Sequence, residues 1–93
     1  MNSLDEVRAN IDRLDREIIE LMAMRGANVR QAAKFRSSFA DVEAPKRVEQ
    51  VIAKVRGISE EAGLEPVVAE ATYRAMISAF IEVERQAFEN NDI

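Results

Sequence analysis

This 93-residue chain contains no histidine and no cysteine. Histidine is the commonest general base and metal ligand near neutral pH, and the cysteine thiolate is the usual soft ligand and nucleophile. Their joint absence excludes disulfides, thiol catalysis, a histidine-activated nucleophile and the common zinc sites. No metal and no cofactor are expected. Proline and glycine are also scarce, at two and three residues, so breaks in regular structure must be few. No apolar run approaches the length of a membrane span. The opening MNSLDEVR places acids where a secretory signal carries a basic region, so a cytoplasmic location is expected. The net charge of −4 argues against nucleic acid as a partner, because duplex binding needs a basic face. Chemistry, if there is any, runs on carboxylates, Arg, Lys, Ser or Tyr.

The pattern that remains is helical throughout. Leu4, Val7, Ile11, Leu14, Ile18 and Leu21 recur at alternating steps of three and four, which is the seam of a helix facing a helical partner. Ser3-Leu4-Asp5-Glu6 has capping-box spacing at the start. Gly26 is the only breaker before Ser37, and its cost of ~1 kcal/mol is small against so long a pattern. The spacing predicts one helix from about residue 4 to about residue 36, roughly 50 Å long. Residues 37–44 read as a loop. Pro45 suits the first turn of a second helix, with Val48, Val51, Ile52 and Val55 on its inner stripe. Gly63 suits the position just past its end, with Leu64 making the apolar contact beyond. Pro66 opens a third helix, whose inner stripe carries Tyr73, Ile77, Phe80 and Phe88, with Met76 and Ile81 beside them. The expected fold is all-α: one domain over residues 1–93, made of three helices with a very long first helix.

That first helix bears on the quaternary state. A compact globule of this size has a radius of gyration of about 12 Å. A helix of roughly 50 Å protrudes beyond it and leaves its apolar stripe exposed. An intertwined homodimer, in which two long helices cross and share a core, resolves the conflict.

Polar residues interrupt the stripes at few places. Arg25 lies on the seam of the first helix, and no acid stands one turn away to pair it. A buried cation needs a counter-charge, supplied by a distant carboxylate or by an anionic ligand. Arg36 follows eleven residues later, about three turns on, and shares its face. Arg8 flanks the seam near the start. Glu84 sits between Phe80 and Phe88 on the stripe of the third helix. Each has a plain reading: Arg8 solvated, Arg36 a partner of the helix dipole, and Glu84 the counter-ion of Arg25. Arg8 and Arg25 are about 25 Å apart along one helix and cannot hold one small ligand within one chain. In an antiparallel crossing, Arg8 of one chain approaches Arg25 of the other. Converging arginines suit a small polyanion, because the guanidinium fork matches a carboxylate.

The order of these residues resembles the all-helical chorismate mutases. V-R-A-N-I-D-R-L-D-R-E-I-I-E-L-M is similar to that family's first-helix signature. R-G-A-N-V-R-Q-A-A-K-F-R and A-P-K-R-V resemble the end of its first helix and the start of its second. The resemblance covers nearly the whole chain, arginine spacings included. It implies a small dicarboxylate substrate and a homodimer with two equivalent shared sites. It assigns Arg8 to the partner chain's site and Arg25 to the main carboxylate contact. Arg36 falls where the family usually has lysine, Arg47 matches the arginine early in helix two, and Glu84 stands where bacterial members usually have glutamine.

Two further departures concern the reaction. Val48 replaces a glutamate that binds the substrate hydroxyl in many mutases, and Phe80 replaces a small polar residue. Both, with the short 37–44 loop, resemble the isochorismate-pyruvate lyase branch. The expected function is a pericyclic enzyme converting chorismate to prephenate. The alternatives are an isochorismate-pyruvate lyase, a mutase for 4-amino-4-deoxychorismate, and a non-catalytic helical dimer used for regulation or protein interaction.

Overall fold

A computed structural model describes residues 3–35 and 45–90, the side chains of Ala33 and of residues 88–90 excepted. Its described residues form three helices, α1 (Leu4–Ala33), α2 (Pro45–Ala62) and α3 (Pro66–Asn90), with no strand among them. None of the three is long and apolar enough to cross a membrane. The chain divides into two compact units, Met1–Lys34 and Phe35–Ile93.

The first unit is α1. Ser3, in extended conformation, caps it: its Oγ accepts the Glu6 amide at 3.1 Å. Asp5 and Glu6 in the first turn and Arg30 in the last complement the helix dipole. Gly26 is absorbed without a break. The helix ends at Ala33, about three residues sooner than the apolar spacing predicts. There the Lys34 amide turns back to the Gln31 carbonyl at 3.2 Å, the tighter bonding that closes a last turn. Thirty residues make a rod of about 45 Å. Its seam residues Leu4, Val7, Ile11, Leu14, Ile18 and Leu21 are all exposed in the single chain, from 38 per cent at Val7 to 62 per cent at Leu21.

The second unit is an antiparallel pair of helices, α2 and α3. Pro45 and Pro66 stand at the first positions of their helices, where a missing N–H costs nothing. Gly63 ends α2 with φ +80°. The Leu64 amide donates to the Ser59 carbonyl at 2.8 Å and the Gly63 amide to Glu60 at 3.3 Å, the paired bonds of a Schellman cap. Leu64 supports the cap through its backbone while its side chain stays exposed. Glu65 precedes α3, its carbonyl accepting from the Val68 and Ala69 amides.

Between the two helices the apolar core is small. Ile52 is buried, and Val48, Val51 and Val55 are half-buried beside it. On α3, Ala69 and Met76 are buried, and Tyr73, Ile77, Phe80 and Ile81 are half-buried. Ser59 is buried as well, its hydroxyl satisfied by the Arg56 carbonyl at 2.7 Å.

A polar network crosses the same interface. Arg74 of α3 forks onto Glu49 of α2, both bonds at 2.9 Å, and its Nε donates to Glu70 at 2.7 Å. Arg56 of α2 donates to the other oxygen of Glu70 at 2.7 Å. The hydrogen bonds from Arg74 hold the Glu49 carboxyl below its ordinary range, and those from Arg74 and then Arg56 do the same to Glu70.

Candidate active site

The residues singled out in the sequence fall on all three helices. Arg8 and Arg25 both belong to α1, the first exposed and the second half-buried. Seventeen residues, about 25 Å, separate them on that rod, so within one chain they do not share a place. Asn28, the next seam position after Arg25, turns its side-chain amide back onto the Met24 carbonyl at 3.0 Å. Arg36 and the loop 37–44 lie outside the described residues.

The other four belong to the second unit and gather at one end of it. Arg47 is exposed and Val48 half-buried in the first turn of α2. Phe80 is half-buried and Glu84 buried on α3, one turn apart. Register explains the gathering. Glu49 stands beside Arg74, and the two helices run in opposite directions, so Pro45 lies level with about residue 78. Phe80 and Glu84 therefore follow at roughly 3 and 9 Å past the start of α2.

Glu84, 8 per cent exposed, is the one titratable side chain among the described residues that is buried. Its burial agrees with its place on the apolar stripe. A carboxylate at such a site accepts hydrogen bonds, and its protonated form donates one. Arginines supply fixed positive charge and paired donors at any physiological pH. No group of three or more carboxylates that could hold a metal ion occurs among the described residues.

Spacing along the sequence does not reveal the Glu49–Arg74–Glu70–Arg56 network. Glu70 and Arg74 stand four apart and read as a local helical pair. The links from Arg74 to Glu49 and from Arg56 to Glu70 depend on the register of two helices, which spacing within one helix does not reveal.

Residues 7–85 match the family model for chorismate mutase type II. That span contains Arg8, Arg25, Arg36, Arg47, Val48, Phe80 and Glu84. An isochorismate pyruvate lyase of Pseudomonas aeruginosa is 31 per cent identical over 78 residues, covering 84 per cent of this chain and 77 per cent of that protein. With a family match over most of its length, this chain belongs to the chorismate mutase type II family.

Proposed function

We propose that the protein is a chorismate mutase, converting chorismate to prephenate in a dimer whose two sites each draw on both chains. The observation that carries the reading is the family match over residues 7–85, which spans every arginine of the candidate site. The exposed seam of α1 supports the dimer. Six large apolar side chains open to water along one face of a 30-residue helix need a covering surface. A second copy of α1 carries the same heptad seam and supplies one.

In the rearrangement a C–O bond breaks as a C–C bond forms within one molecule. No proton is gained or lost, which suits a chain without histidine or cysteine. The enzyme holds the substrate in its folded, near-attack conformer and stabilises negative charge growing on the ether oxygen. Arg25 of one chain and Arg8 of the partner bind the carboxylates. Arg36 addresses a carboxylate and the ether oxygen together, and Arg47 adds charge from α2. Glu84 stands on the ether-oxygen side of the site. Val48 and Phe80 form the hydroxyl side of the site.

A second reading draws on the same residues. Val48 and Phe80 remove polar groups from the hydroxyl side, and the Pseudomonas relative is named an isochorismate pyruvate lyase. Lyase chemistry would use the same arginines. The ether C–O bond breaks as a ring hydrogen passes to the enolpyruvyl methylene, leaving salicylate and pyruvate.

Incubating the protein separately with chorismate and with isochorismate tests both readings. Prephenate from chorismate is the expected result. Salicylate and pyruvate from isochorismate, with little prephenate, would move the assignment to the lyase. Turnover of neither, together with no thermal stabilisation by a bicyclic transition-state analogue, would leave a non-catalytic dimer.

A further inference from the structure

We propose that Arg74 is a positioning residue for this reaction: its fork onto Glu49 sets the axial register of α2 against α3, and so fixes Arg47 and Val48 relative to Phe80 and Glu84. The inference rests on the chorismate reading above and deepens it.

The geometry is that of a clasp. Arg74 engages two carboxylates with three hydrogen bonds of 2.7–2.9 Å, one carboxylate on each helix. Arg56 closes the chain from α2 back to Glu70, so the four residues alternate charge across the interface. An isolated exposed ion pair contributes little, but a bidentate fork inside a network restricts geometry. The apolar contact does this less well. Apolar burial is non-directional, and among the described residues only Ile52, Ala69 and Met76 are buried apolar side chains in the single chain. Small axial slips would cost such a contact little, whereas a slip breaks both arms of the fork.

The clasp also sits where the site needs it. Glu49 directly follows Val48 and is two residues past Arg47. This first part of α2 has no acid in its opening turn to favour the helix start. Terminal turns fray unless they are tied down. Arg74 ties this one to the middle of α3, the helix that carries Phe80 and Glu84. Catalysis by positioned charges loses rate steeply when a contact moves by an ångström.

The test is steady-state kinetics on Arg74→Gln, which removes the charge and the fork. Expected is a loss of roughly tenfold in kcat/KM, with helicity and dimerisation unchanged. In an Arg47→Ala background the same substitution should cost less than in the wild type, because part of its effect acts through residue 47. Arg74→Lys should recover part of the loss by keeping one charge-assisted bond to Glu49. If Arg74→Gln does not fold, Glu49→Gln breaks the clasp from the other side, and a lower kcat/KM is expected again. A purely structural clasp would lower Tm and leave kcat/KM at the wild-type value well below Tm, and that result overturns the proposal. Wild-type protein inactive on both substrates would instead overturn the chorismate reading, and this inference with it.

Discussion

Glu84 and Arg36 are the residues whose identities are expected to shape the rate. Glu84 is buried on α3, at a place where an amide would donate a hydrogen bond at any pH. A carboxyl group donates only while protonated, and its anion opposes the charge developing on the ether oxygen. Glu84→Gln is therefore expected to raise kcat at neutral pH. Lower stability with an unchanged kcat would make Glu84 a structural counter-ion. Arg36→Lys keeps a positive charge and should retain substantial activity, whereas Arg36→Met should lose most of kcat. An active Met variant would reduce Arg36 to a partner of the helix dipole. Glu84 was legible in the sequence because a charge on an apolar stripe needs only intrahelical spacing to be noticed. Arg74 was not, because its partner Glu49 lies 25 residues away and only helix pairing brings them together.

At the scale of elements, the three helices follow from few signals. Ser3 caps α1, Pro45 and Pro66 open α2 and α3, and Gly63 closes α2, all at the expected positions. The end of α1 was less legible, since its apolar spacing continues to Phe35 while the hydrogen bonding closes at Lys34. Gly63 offers a clean test of the turn. A Cβ there meets no atom within 4 Å, so Gly63→Ala carries only the backbone cost of φ +80°. Chemical denaturation should show a loss of about 1 kcal/mol. No loss would mean that the turn relaxes to negative φ. The clasp between α2 and α3 makes a pH-dependent contribution of known sign. Arg74 lowers the pKa of Glu49 and Glu70 in the folded state, so the unfolded chain takes up protons there first. The contribution is complete above their ordinary value of 4.5 and is lost as pH falls through the lowered folded values. The stability gap between wild type and Arg74→Gln should therefore narrow as pH falls from neutral to below 4.5. A gap independent of pH would contradict an ionic clasp.

At the scale of the whole molecule, the proposed dimer leaves neither chain with a complete site. Arg8 and Arg25 lie too far apart on one rod to grip one small dicarboxylate, and the seam between them is exposed in the single chain. Both features are legible in the sequence, where a long unbroken seam and two distant arginines each call for a partner. Spacing within a chain carries no information on how two chains cross. The most direct measurement is complementation between Arg8→Ala and Arg25→Ala. Each homodimer is expected to be folded and nearly inactive. Unfolding them together and refolding the mixture produces heterodimers in which one site collects both defects and the other is intact. With random pairing, roughly a quarter of all sites recover, and activity should return to about that fraction of wild type. A mixture that forms heterodimers and stays inactive would contradict the shared site.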